Sequence, residues 1–99
     1  MAIRTLPWDA AEHLKTDEDR VAYLNAALDE AGDDPAFVTQ VLGDIARSRG
    51  IERVARETGM TRQGLYKALS ADGNPELSTL LKVLHALGMK LHAEPAHHE

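Results

Sequence analysis

"ARETGMTRQGLYKAL", Ala55–Leu69, decides how this chain is read. Gly59 falls where one short apolar-periodic segment stops and another starts, and a tight turn there needs a residue that tolerates positive φ. Ala55 is small enough for a second helix to cross over the first, and Met60 is apolar and tucks under the turn. Thr61 stands at the N-cap of the second helix, and Leu65, one turn in, is its inward anchor. Helical spacing gathers Arg62, Gln63, Tyr66 and Lys67 on the side opposite Leu65 and Leu69. Two short helices, a glycine turn and an outer row of hydrogen-bonding side chains describe a helix-turn-helix.

The residue types in that row suit DNA. An arginine donates two hydrogen bonds to guanine, and a glutamine makes a paired contact with adenine, so Arg62 and Gln63 are the candidates for base readout. Tyr66 is placed for a base or a sugar. Lys67, Thr61 and Arg53 suit phosphate, with Arg56 beside them. Gly64 would let the backbone approach a groove. The competing reading is a solvated face, since short amphipathic helices with a glycine between them occur in any all-α protein. Charge cuts both ways: from Arg47 to Leu69 there are six bases against two acids, which favours the first reading, while the chain's net charge of -5 counts against it.

The acids lie elsewhere. Residues 1–46 carry ten acids and three bases, whereas residues 47–99 carry eight bases and six acids. Such asymmetry points to two different partners.

Ninety-nine residues, 43% of them hydrophobic, make one domain with an arm and a small core. The aromatics are Trp8, Tyr23, Phe37 and Tyr66, so that core must be aliphatic. The chain has no cysteine, which excludes disulfides, thiol chemistry and a cysteine-based zinc site. Its five histidines (His13, His85, His92, His97, His98) do not compose a metal site by spacing, so no metal and no cofactor are expected. Ser48, Ser70 and Ser78 sit in no nucleophile turn, and there is no glycine-rich phosphate loop, so no enzyme is expected. No apolar run approaches a membrane span, and "MAIRTLPWDAAEH" lacks the apolar stretch of a signal peptide, which leads to the expectation of a cytoplasmic protein.

The rest of the chain reads as helices. A short turn over Trp8–Leu14 is expected with Asp9 as cap, and Trp8 either anchors the arm or serves an interface. Thr16–Ala31 reads as a helix with Val21, Leu24, Leu28 and Ala31 inward and acids at its start, where the helix dipole favours them. Asp34 caps the next helix, with Pro35 in its first position and Gly50 as its stop. Gly43 lies inside that helix and implies close packing against a neighbour. Ile51–Thr58 and Thr61–Leu69 follow, then the turn-rich "SADGNP", Ser70–Pro75. Leu77–Leu87 is the last helix, with Leu77, Leu80, Leu81, Leu84 and Leu87 inward. "MKLHAE", Met89–Glu94, alternates with the period of a strand and should pair with a second copy or a partner. The expected division is an arm and helical extension over 1–33, a helix-turn-helix domain with its strand over 34–94, and a disordered tail over 95–99.

"GDIARSRGIERVARETGMTRQGLYKALSADGNPELSTLLKVLHALGMKL", Gly43–Leu91, resembles the addiction-module antidote proteins, antitoxins with a Cro/C1-type helix-turn-helix encoded beside small toxins of the RelE/ParE/HigB type. The likeness extends upstream through "DAAEHLKTDEDRVAYLNAALDEAGDDPAFVTQVL", and "GLYKALSADGNP" with "LLKVLHALG" is its most specific part. The resemblance implies an all-α, lambda-repressor-like domain, a homodimer, autorepression at a double-stranded DNA operator and neutralisation of a toxin. Toxins of that superfamily that act at the ribosome are basic, and the acidic N-terminal half would complement such a surface; the competing reading is that acids at helix starts stabilise the helices and keep the chain in solution. The alternative is a stand-alone helix-turn-helix repressor with no toxin partner.

Overall fold

Thr16 starts the first long helix by exchanging hydrogen bonds with Asp19. Its hydroxyl accepts from the Asp19 N–H at 3.0 Å, and the Asp19 carboxylate accepts from the N–H groups of Thr16 at 3.2 Å and Lys15 at 3.0 Å. Free helix-end donors are thereby satisfied, and Asp17, Glu18 and Asp19 meet the positive end of the dipole. The computed structural model describes residues 10–70 and 72–96. Their regular structure is helical: α1 Ala10–His13, α2 Asp17–Ala31, α3 Pro35–Arg49, α4 Ile51–Thr58, α5 Arg62–Ala68 and α6 Leu77–Ala86. The expected cap at Asp9 and the place of Trp8 lie outside the described residues, as do His97 and His98.

α3 is the axis of the fold. Asp34 caps it by accepting from the Phe37 N–H at 3.3 Å, with Pro35 in the first turn. α1, α2 and α4 pack against it, and α4 in turn carries α5 and α6. Val41, Leu42, Ile45 and Ala46 of α3 meet Leu14, Leu24 and Ala27 from the N-terminal helices and Val54, Leu65, Val83 and Leu87 from the C-terminal ones in one core cluster. Among the described residues the buried core is aliphatic, and Phe37 stays exposed. Burying a side chain of this size stabilises by about 1.5–3 kcal/mol, so the fully enclosed Leu42, Ile45, Val54, Leu65, Val83 and Leu87 dominate the packing.

Two helices turn differently from the sequence expectation. In α2 the buried residues are Leu24 and Ala27, while Val21 and Leu28 are 40% and 41% exposed. Polar partners set the rotation: Arg20 donates from Nε to Ser48 Oγ at 2.8 Å, and the Tyr23 hydroxyl donates to Asp44 at 2.8 Å. These bonds hold the Arg20, Tyr23, Ala27 row against α3. In α6, Val83, Leu84 and Ala86 are buried together with Leu87 beyond its end, whereas Leu77 and Leu81 are exposed. Packing on α4 selects one leucine row over the neighbouring one.

The expected strand over Met89–Glu94 is not formed, and no strand occurs among the described residues. Gly88 ends α6 with φ +76°, and the Met89 N–H donates to the Leu84 carbonyl at 2.9 Å. From Lys90 to Pro95 the described backbone makes no hydrogen bond to another part of the chain. The described residues supply no neighbouring strand edge, and one strand without a partner has no ladder to join.

Candidate nucleic-acid interface

The α4–α5 corner is built by its turn. Gly59 adopts φ +75°, a left-handed conformation that costs a residue with a Cβ about 1–2 kcal/mol. Its N–H and that of Met60 return to the last carbonyls of α4, the Met60 N–H reaching Ala55 at 3.0 Å. Thr61 then caps α5, its hydroxyl accepting from the Gly64 N–H at 2.9 Å. Leu65 is fully buried and Leu69 nearly so, which seats α5 on the core with its other side outward. A second close approach fixes the far end. A Cβ added at Gly43 would lie 2.9 Å from the Leu69 carbonyl oxygen, so the expected tight packing of α3 at Gly43 is against the end of α5.

Arg62, Gln63, Tyr66 and Lys67 are all exposed along that outward side. The Arg62 guanidinium lies 5.9 Å from the Tyr66 ring centroid, within cation–π range. It also pairs with Glu52 of α4 at 3.2 Å, so the most prominent cation of α5 is held by an acid on the preceding helix. Arg53 pairs with Glu57 at 3.4 Å, one turn along its own helix. The two acids of the Arg47–Leu69 stretch are thus both engaged with candidate contact residues. Arg56, Gln63 and Lys67 are exposed and make no side-chain hydrogen bond or ion pair among the described residues. The structure therefore sorts the candidates into groups that must leave an internal partner before meeting a ligand, Arg62 and Arg53, and groups that need not, Gln63, Lys67 and Arg56.

The pairing of Arg62 with Glu52 was not legible in the sequence. Glu52 is ten residues from Arg62, and only the turn brings them together; the Arg53–Glu57 pair has ordinary i, i+4 spacing and could have been read directly. A Cβ at Gly64 would lie 2.9 Å from the Thr61 hydroxyl that caps the helix, so a larger residue there requires that side chain to shift.

The acidic half is also more committed than its charge suggests. Asp17 pairs with Arg20 at 2.9 Å and Arg49 at 3.1 Å, tying the start of α2 to the end of α3. Asp19 serves the cap, and its two backbone donors, Lys15 first and then Thr16, hold its carboxyl below the ordinary value. Asp34 caps α3, and Asp44 accepts from Tyr23 and Arg47. Glu12, Glu18, Asp29, Glu30 and Asp33 are exposed and make no such hydrogen bond or ion pair among the described residues. No group of three or more acidic or histidine side chains suited to a metal ion occurs among the described residues, and none of the described helices is long and apolar enough to cross a membrane.

Comparison with known proteins gives two matches. The family described as "Probable addiction module antidote protein" matches over residues 4–95. An uncharacterised protein of Haemophilus influenzae is 44% identical over 87 residues, covering 88% of this chain and 88% of that protein. No solved structure matches.

Proposed function

The chain belongs to this family of addiction-module antidote proteins, and from that membership we propose that it is an antitoxin that also represses its own operon by binding DNA as a dimer. An antidote answers a toxin, so a toxin partner of some kind follows from the family itself. The toxin is of the RelE/ParE/HigB type, and the chain acts by binding, with no catalysis of its own. DNA recognition uses the α4–α5 corner as a lambda-repressor-like helix-turn-helix. The observation that carries this part is the exposed Arg62, Gln63, Tyr66 and Lys67 row on a helix anchored by buried Leu65 and Leu69.

The mechanism follows from the charges. Lys67 and Arg56 meet phosphates first, because neither is held by an internal acid. Arg53 joins them by exchanging Glu57 for a phosphate, and the Thr61 hydroxyl keeps its proton available for another. Arg62 exchanges Glu52 for a guanine edge, with Gln63 beside it for adenine. The exchange supplies discrimination, since a wrong base leaves Arg62 better served by Glu52. Two copies present two such helices to successive major grooves, with half-sites about one helical turn apart.

The decisive experiment is co-expression with the adjacent open reading frame, with binding to the upstream DNA measured in parallel. A stable complex, growth arrest when the neighbour is expressed alone, and specific binding upstream are the expected results. Specific DNA binding without a complex or toxicity would instead favour a stand-alone repressor. Arg62→Ala should cost about 1–3 kcal/mol of operator affinity and relax preference at one base position. Equal losses on all sequences would make Arg62 a phosphate contact.

A further inference from the structure

A groove of about 550 Å³ separates α2 from the chain that follows Gly88. Val21, Leu24 and Leu28 contribute to one wall and Met89, Leu91 and His92 to the other. Its rim mixes exposed apolar side chains, Val21 at 40%, Leu28 at 41% and Leu91 at 55% open to solvent, with the polar Asn25, Asp29, Lys90 and Glu94. The second wall is the alternating segment Met89–Glu94, whose backbone donors and acceptors beyond Met89 meet none of the chain's own backbone. It is an exposed chain with a strand's period, an apolar row of Met89, Leu91 and Ala93, and no ladder.

The polar row of that segment reads Lys90, His92, Glu94, with opposite charges at its two ends around one histidine. This pattern is complementary to itself when reversed. Antiparallel pairing about His92 sets Lys90 of each copy opposite Glu94 of the other, and does so twice. It also sets Leu91 opposite Ala93. Moving the register so that Leu91 faces Leu91 brings Lys90 opposite His92 and leaves Glu94 without a basic partner. A two-fold interface requires this kind of self-complementarity, because each element meets its own copy.

We propose that residues 89–94 of two copies pair as an antiparallel ribbon centred on His92, and that the second copy's apolar row covers the lip of the α2 groove. The inference deepens the dimer of the proposed function by naming its surface and register, and it rests on that dimer. A lone two-stranded ribbon is marginal in water; packing against a helix stabilises it, and α2 supplies the helix.

The chain has no cysteine, so single cysteines report the register cleanly. Full-length Leu91→Cys, His92→Cys and Ala93→Cys are oxidised under mild conditions, and sedimentation equilibrium measures dimerisation of the reduced proteins. His92→Cys should crosslink to a dimer on the order of ten-fold faster than either neighbour, since residues directly opposite in an antiparallel pair lie within disulfide reach. Lys90→Glu and Glu94→Lys should each weaken the dimer roughly two- to thirty-fold, because each creates two like-charge pairs. The double variant should restore it, which a merely unfolded segment could not do. Fastest crosslinking at Leu91→Cys or Ala93→Cys overturns the register. A dimer that crosslinks at none of the three and ignores both charge reversals overturns the ribbon while leaving a dimeric repressor standing. A chain that stays monomeric overturns the ribbon and the dimer together.

Discussion

Gly43→Ala sets two effects of known sign against each other. Glycine in a helix interior is about 1 kcal/mol less favourable than alanine, so at an open position the change would stabilise. At Gly43 the new methyl would meet the Leu69 carbonyl oxygen at 2.9 Å and Leu69 Cβ at 3.7 Å. The nearer obstacle is backbone at the end of α5. The Leu69 N–H is bound to the Leu65 carbonyl at 3.0 Å, and the Leu69 side chain is nearly buried, so this part of the chain yields poorly. Overpacking of this kind costs about 1–3 kcal/mol. The balance is a destabilisation of about 1 kcal/mol, or roughly 4–8 °C in melting temperature for a domain of this size. Gly43→Val, with two further carbons and a poorer helix former, should lose about 3 kcal/mol or more. Thermal and urea unfolding followed by circular dichroism read both. Truncating Leu69 should not rescue Gly43→Ala, because the methyl meets the carbonyl oxygen rather than the side chain. If Gly43→Ala instead stabilises by the roughly 0.5–1 kcal/mol of an open helical site, α3 and the end of α5 are not in close contact, and the outer row of α5 is not seated by that approach.

Glu52→Gln frees Arg62 from an exposed ion pair of the kind worth up to about 1 kcal/mol, so DNA affinity should rise by roughly two- to five-fold, with weakened discrimination between operator and random sequence. A fall in affinity would show that Glu52 positions the guanidinium for the base. Asp19 has a lowered carboxyl pKa through the backbone donors of Lys15 and Thr16, so its contribution to stability is fully present above the ordinary carboxyl range. That contribution is lost as pH falls through the lowered value, and Asp19→Asn should flatten this segment of a melting-temperature profile; an unchanged slope would exclude the cap as its cause. Lysine at Asp29 and Glu30, exposed acids near the end of α2 that make no hydrogen bond or ion pair among the described residues, should slow toxin association and reduce its salt dependence without lowering the melting temperature. Kinetics that match the parent protein at every ionic strength would assign the acidic half to other work.

Much of the chain was legible because the interactions that set it are local. Asp34 with Pro35, Thr16 with the acids that follow it, and Gly59 between two short helices are neighbours in sequence, and caps and turns depend on neighbours. Leu65 and Leu69 were legible as an inward pair for the same reason, and the outer row of α5 follows once that pair is known. The choice of face in α2 and α6 was not legible. Each helix carries adjacent apolar rows, and 3.6-residue periodicity fits either one. Arg20 with Ser48 and Tyr23 with Asp44 select the row in α2, and those partners are 28 and 21 residues apart.

Sequence alone therefore determined an aliphatic, cysteine-free helical chain with a basic, hydrogen-bonding corner after Gly59 and acids gathered before it. Tertiary structure alone decided which of those charges are free. Glu52 reaches Arg62 only because the turn folds α5 back across α4, and Asp17 reaches Arg49 only because α2 lies along α3. A charge count along a sequence is additive, whereas ion pairing depends on distances of a few ångströms that only the packing of helices creates.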